Sequence, residues 1–132
     1  MEVTTLNPKS VKAKGRLLQN LVRDKLRVAH NLCLVDDDIK SQTMGMTGED
    51  IVLSPKARKY IPYSFECKNQ ERIQLWKAIE QAEANKKDDC NIAVVIKRNR
   101  TKPYVVIDLD HFVDLIVGDG LKEEASLNGD II

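Results

Sequence analysis

Two segments carry side chains whose types and spacing can do chemistry. The first is Gly48-Glu49-Asp50-Ile51-Val52-Leu53, and the second is Tyr63-Ser64-Phe65-Glu66-Cys67-Lys68-Asn69. Side chains on a strand alternate between its faces, so a strand over the second segment puts Ser64, Glu66 and Lys68 on one face and Phe65 and Cys67 on the other. A carboxylate and an amine sharing a face are out of place in a purely apolar core. If Asp50 lies on a strand paired beside this one, it brings a second carboxylate to Glu66. Two carboxylates and a backbone carbonyl make a hard oxygen site suited to Mg²⁺ or Mn²⁺. Such an ion neutralises charge on a phosphodiester, lowers the pKa of a bound water and holds that water in line. Lys68 beside it can orient the water or stabilise charge growing on the phosphate, and it offsets the repulsion between the carboxylates. The bland alternative is a strand-end ion pair at Glu66 with Asp50 on the surface.

These residues need a frame. Residues 10–29 read as a helix capped by Ser10, with Leu17, Leu18, Leu21, Val22 and Val28 or Ala29 at three- and four-residue steps. Short strands are expected at 39–44 and 50–53, a helical turn at 56–60, and the central strand at 63–68. Residues 70–85 read as a second helix with Leu75, Trp76, Ile79 and Ala82 on its apolar face. The unbroken apolar run Ile92-Ala93-Val94-Val95-Ile96 fits a strand covered on both faces. A further strand over 104–108 and a helix capped by Asp110 and running to about 117 complete the order. The result is an α/β or α+β fold: a mixed sheet of about four to five strands flanked by helices. One domain spans 1–118, with a loose arm at 1–9, and 119–132 reads as an acidic mobile tail.

The 132-residue length suits one domain with a real core. No apolar run is long enough to span a bilayer, and the N-terminus lacks the pattern of a signal peptide, so a cytoplasmic protein without membrane contact is expected. Three cysteines without a CxxC pair argue against zinc and against a disulfide framework; they read as small buried or half-buried thiols. Net charge is only +1, but it is unevenly spread: setting aside the four acids and one base of 119–132 leaves 20 bases against 16 acids. Bases gather at Lys9, Lys12, Lys14 and Arg16, at Arg23, Lys25 and Arg27, and at Lys97, Arg98, Arg100 and Lys102. This permits a DNA partner without establishing one.

Several stretches, taken in order, resemble one known superfamily. They are Lys14-Gly15-Arg16-Leu17-Leu18-Gln19, then Ser41-Gln42-Thr43-Met44-Gly45 leading into Gly48-Glu49-Asp50, then Glu66-Cys67-Lys68-Asn69, then Trp76-Lys77-Ala78-Ile79-Glu80-Gln81-Ala82, and finally the strand pair around Lys97-Arg98-Asn99-Arg100. From Lys14 to Tyr104 the chain resembles the PD-(D/E)-x-K nucleases. It is most similar to the small Holliday-junction-resolvase-like endonucleases, many of them phage-encoded. The resemblance implies a restriction-endonuclease-like core and Mg²⁺- or Mn²⁺-dependent cleavage of DNA, with branched DNA as the leading substrate. It implies metal ligation by Asp50, Glu66 and the Cys67 carbonyl, catalysis by Lys68, and a place for Gln81 beside the active site. It makes Lys14, Arg16, Gln19, Lys97, Arg98, Arg100 and Lys102 candidate DNA contacts. Symmetric cutting of two strands implies a homodimer, and the setting implied is the cytoplasm of a bacterial or phage-infected cell. The sequence departs from the pattern in two places: Glu49 stands where proline precedes the acid, and Gln19 stands where such resolvases often carry Glu. A homing, restriction-like or nicking enzyme on duplex DNA, and a non-catalytic DNA-binding module on the same fold, remain open, as does an interaction protein with no catalytic role.

Weaker signals have bland readings beside them. Gln74, Lys77 and Gln81 share a helix flank, which equally suits a solvated polar face. The Gly45 to Gly48 loop can bring backbone N–H groups to a phosphate or simply turn the chain. His30 and His111 read as structural or surface residues, and Trp76 as a core residue.

Overall fold

The computed structural model describes residues 8–43, 45–87 and 89–128, with side chains described for 9–43, 45–87 and 89–118. Helix α1 spans Pro8–Ala29, strand β1 Ile39–Ser41, β2 Ile51–Leu53, helix α2 Pro55–Tyr60, β3 Tyr63–Asn69, α3 Leu75–Asn85, β4 Asn91–Lys97, β5 Tyr104–Val106 and α4 Leu109–Asn128. A short 3₁₀ turn at Asp36–Asp38 precedes β1. The fold is mixed α and β, as the pattern predicts.

The five strands form two ladders. β1 and β2 are antiparallel, with Ile39 opposite Leu53. β3 runs parallel to β4 from Tyr63 opposite Asn91 to Asn69 opposite Lys97, and β5 is antiparallel to β4. The ladders meet where the Asp50 N–H donates to the Phe65 carbonyl at 2.9 Å. Because β3 and β4 are parallel, their C-terminal ends lie at one edge, joined there by the Gln70 N–H to the Lys97 carbonyl.

Alternation along β3 and β4 divides the core into two layers. Phe65, Cys67, Ala93 and Val95 face α1 and pack with Leu18, Ile39, Ile51 and Ala57. Ile92 and Val94 face α3 and pack with Ala78 and Ala82. Glu66 and Ser64 stand on the α3 side, in register with Val94 and Ile92.

Several boundaries and faces depart from the sequence reading. α1 begins at Pro8, a residue suited to the first helical turn, so Ser10 is not its cap. The face of α1 that packs uses Leu18, Leu21, Val22 and Leu26, while Leu17 and Val28 are exposed. α3 starts at Leu75 rather than residue 70. Its buried stripe is Leu75, Ala78, Ile79 and Ala82, and Trp76, one residue and about 100° off that stripe, is 77% exposed. α4 is capped by Asp108, whose Oδ2 accepts from the His111 N–H at 2.9 Å, and not by Asp110. It continues through Asn128, where a tail was expected from 119; 129–132 and most of the expected N-terminal arm lie outside the described residues. Cys67 and Cys90 are buried, but Cys33 is exposed.

Local ties hold the frame. The Arg27 guanidinium donates to the Ile39 and Asp36 carbonyls at 2.9 and 3.0 Å, fixing the end of α1 to β1. Ser54 caps α2 by accepting from the Ala57 N–H at 3.0 Å, and its hydroxyl donates to Asp38 at 2.7 Å. His30 Nδ1 bonds the Leu26 carbonyl, and His111 meets the Tyr63 hydroxyl, so both histidines have structural contacts. Among the described residues, no helix is long and apolar enough to cross a membrane.

Candidate active site

The loop into β2 turns sharply. Gly45 and Gly48 have φ of +86° and +106°, a region that side chains with a Cβ rarely adopt. The chain then passes Glu49 and Asp50 before pairing as β2. Glu49 is 5% exposed, and both of its oxygens accept from Arg58 at 2.9 Å. Arg58 also donates to the Tyr63 carbonyl at 3.1 Å and approaches Cys90 Sγ at 3.6 Å. This bidentate pair joins the residue before Asp50 to α2 and to the start of β3. The sequence reading treated Glu49 only as a substitute for proline. The spacing from Glu49 to Arg58 gave no signal, because β2 and the turn into α2 lie between them.

Asp50 is held by β3. Its Oδ2 accepts from the Cys67 N–H at 2.6 Å. Burial raises its pKa above the ordinary carboxylate value, against the opposing pull of the Cys67 N–H, the Lys68 charge and the Gln19 amide. Glu66 is only 2% exposed. Its pKa is pushed up to about 7, first by burial and then by the neighbouring Asp50 charge; Lys68 and the Asn85 amide act the other way. Burial and the two carboxylates also push the Cys67 thiol upward, so it stays a neutral core group.

Lys68 Nζ stands 3.5 Å from Glu66 Oε1 and donates to Gln81 Oε1 at 2.9 Å. The β3 face and the flank of α3 therefore converge on one ammonium group. The structure brings Asp50, Glu66, Lys68 and Gln81 together, and it places Gln19, expected as a DNA contact, beside Asp50 as well. Asn85, at the end of α3 near Glu66, was missed. Asn85 lies three residues beyond the apolar stripe that ends at Ala82, so its approach to Glu66 is visible only with the sheet in place.

Two buried side-chain oxygens have no hydrogen-bond partner among the described residues: Glu66 Oε2 and Gln19 Oε1. Both belong to residues interacting with Asp50. Buried acceptors are rarely left unpaired, and each such oxygen costs about 1–3 kcal/mol. A carboxylate pair with raised pKa values and an orphan carboxylate oxygen has the chemistry that a hard divalent cation takes. Among the described residues, no group of three or more His, Cys, Asp or Glu side chains is arranged to hold a metal ion. A metal ion bound here would have Asp50 and Glu66 as its only carboxylate ligands among the described residues.

The candidate DNA-contacting residues fall into three groups. The Lys14 carbonyl accepts from Asn69 Nδ2 at 2.9 Å, which ties the first half of α1 to the end of β3; Arg16, two residues on, is exposed. Gln19 is buried at the carboxylates rather than offered to a ligand's backbone. Lys97, Arg98, Arg100 and Lys102 lie at and beyond the end of β4, at the same sheet edge as Lys68. Arg98 is partly engaged by Glu71 at 3.8 Å, and Lys102 lies over the Tyr104 ring at 5.6 Å. Arg100 is exposed with φ +64°.

No protein-family model matches this chain, no curated protein matches it, and no solved structure matches it.

Proposed function

We propose that the chain is a metal-dependent DNA endonuclease of the PD-(D/E)-x-K kind, acting on branched DNA. The observation that carries the reading is the pair of orphan buried oxygens, Glu66 Oε2 and Gln19 Oε1, around two carboxylates with raised pKa values. Asp50, Glu66 and the Cys67 carbonyl would hold Mg²⁺ or Mn²⁺. When bound, the ion supplies charge neutralisation at the phosphate and an acidified water. The chain's own residues do the rest. Lys68, fixed between Glu66 and Gln81, presents an ammonium where negative charge grows on the phosphate. Gln81 sets the direction of that ammonium. The Cys67 N–H fixes one Asp50 oxygen and leaves the other for the cation. The basic edge formed by Lys14, Arg16, Lys97, Arg98, Arg100 and Lys102 offers counter-charges to the nucleic-acid backbone.

The test is incubation of purified protein with Mg²⁺ and a panel of four-way junction, flap, linear duplex and single strand. Preferential cleavage of the junction supports the reading. Equal digestion of all four removes the resolvase assignment, and digestion of none removes the nuclease.

A homodimer belongs to the same reading. α4 touches the body mainly through the His111–Tyr63 contact, and Leu109, Phe112, Val113, Leu115, Ile116 and Val117 are all exposed. Tyr104 and Val105 on β5 extend this surface, and Leu115 reaches an apolar groove of about 350 Å³. Eight large apolar side chains, each about half exposed, offer on the order of 800 Å², near one partner's share of a standard interface. A second copy is the occupant that symmetric strand cutting requires. Sedimentation should find a dimer that Ile116→Asp dissociates. A monomeric unaltered protein contradicts the arrangement.

A further inference from the structure

The connection from β3 to α3 and the first turns of α3 wall a cleft of about 270 Å³. It opens beside Lys68 and is lined by Gln70, Arg72, Gln74, Lys77 and Gln81, with no acidic residue on its walls. Arg72 and Lys77 form no ion pair among the described residues, although such pairs tie down Arg23, Arg27, Arg58 and Arg98 elsewhere. The nearest acid in sequence, Glu71, is turned away to accept from the Asn99 N–H at 3.0 Å and to meet Arg98. Two cations without an ion-pair partner among the described residues, Arg72 and Lys77, thus face one concavity beside Lys68, whose partner is Glu66. The amides of Gln70, Gln74 and Gln81 with the apolar Ile73 and Ala78 form the remaining walls. The cleft is smaller than the roughly 300–1,000 Å³ of cavities that engulf drug-sized ligands, which fits a section of a chain better than a whole free molecule.

We propose that this cleft seats a second phosphodiester of the substrate strand, adjacent to the one held at Asp50 and Glu66, with Arg72 and Lys77 as its counter-charges. The inference rests on the nuclease reading for the position of the first phosphate, and Lys68 is the wall the two seats share. Arg72 supplies a planar fork matched to two phosphate oxygens, and Lys77 supplies a point charge. Gln70 and Gln74 have amide N–H groups to donate, whereas Gln81 Oε1 is already taken by Lys68. The second seat fixes the direction of the strand across Glu66. It separates a chain end, which has no adjacent phosphate on one side, from an internal bond, and so favours cutting within a strand.

The experiment compares the full-length protein with the double variant Arg72→Ala/Lys77→Ala and with Arg72→Lys. Both positions are exposed, so the variants should fold, which a thermal melt checks. Binding of a fluorescent synthetic four-way junction and of a duplex is measured in Ca²⁺ over a series of KCl concentrations, and cleavage in Mg²⁺. For the double variant, the salt slope should fall by about one and affinity by about tenfold. KM should rise with kcat little changed, as expected for loss of binding that is equal in ground and transition states. Arg72→Lys should fall between. Unchanged affinity and slope in the double variant, with cleavage intact, overturns the seat and spares the nuclease. A slope change in a protein that never cleaves overturns the nuclease and spares the cleft as a phosphate seat. Amide shifts at Arg72 and Lys77 that inorganic phosphate alone moves as readily as the oligonucleotide would make it a free-anion site and overturn the assignment.

Discussion

Glu49 and Glu66 are buried to nearly the same degree, at 5% and 2% exposure, and differ in almost everything else. Glu49 has both oxygens matched by one guanidinium at 2.9 Å. Glu66 has one oxygen 3.5 Å from an ammonium that is shared with Gln81, and the other has no hydrogen-bond partner among the described residues. Arg58 neutralises Glu49 at close range, whereas Glu66 faces another carboxylate and keeps a pKa near 7. The first arrangement is complete and ties elements together. The second leaves one buried oxygen without a protein partner among the described residues. The contrast separates an acid that completes the frame from the acid on which the proposed function rests.

The largest expected effect is at the incomplete acid. Glu66→Gln keeps the shape and removes the charge, and should lower Mg²⁺-dependent cleavage by roughly a thousandfold or more, as loss of a charge-stabilising group does. Junction binding in Ca²⁺ or EDTA should survive. Lys68→Ala should cost on the order of a hundredfold in rate with the fold unchanged. Cleavage that persists in Glu66→Gln would erase the distinction between the two acids.

At the complete acid the effect is on stability. Arg58→Ala leaves Glu49 buried and unpaired and should cost about 3 kcal/mol, read as a drop in the urea midpoint. An unchanged midpoint would mean that the pair is not structural. Glu66→Gln should do the opposite in metal-free protein at neutral pH, raising the midpoint by removing a charge that burial disfavours.

The pH dependence sharpens the same point. The Glu66 pKa is raised from an ordinary 4.5 to about 7 in the folded state. The folded protein therefore holds the proton more tightly than the unfolded chain between those values. The stability from protonated Glu66 is full below pH 4.5 and is lost as pH rises through about 7. Metal-free Tm should fall across that window, and Glu66→Gln should flatten the fall. Mn²⁺ should restore Tm above pH 7. A Tm that does not respond to pH in this window argues that Glu66 is already satisfied. The smallest effect is expected at Gln19, where Gln19→Ala should weaken metal binding by about tenfold, comparable with loss of an outer-shell partner.

Much of this site is legible in the sequence because it lies on regular elements. Alternation along β3 puts Glu66 and Lys68 on one face, and helical spacing puts Gln81 on the flank of α3 that reaches Lys68. What escapes is set by contacts between elements. The Glu49–Arg58 pair depends on how α2 folds back, and the free state of Arg72 and Lys77 depends on Glu71 turning to the 98–99 loop. Trp76 shows the limit of hydropathy alone: an apolar residue one position off the buried stripe faces solvent however large it is. The single sheet expected from five strand-like segments divides because β2 is short and joins β3 through one backbone hydrogen bond at Asp50.

The most direct measurement is calorimetric titration of Mn²⁺ into DNA-free protein at pH 8, in parallel for the unaltered chain, Glu66→Gln and Glu49→Gln. Saturable binding that Glu66→Gln abolishes and Glu49→Gln preserves in folded protein is the predicted result. Equal Mn²⁺ binding by the unaltered chain and Glu66→Gln, or no binding by either, would contradict the account.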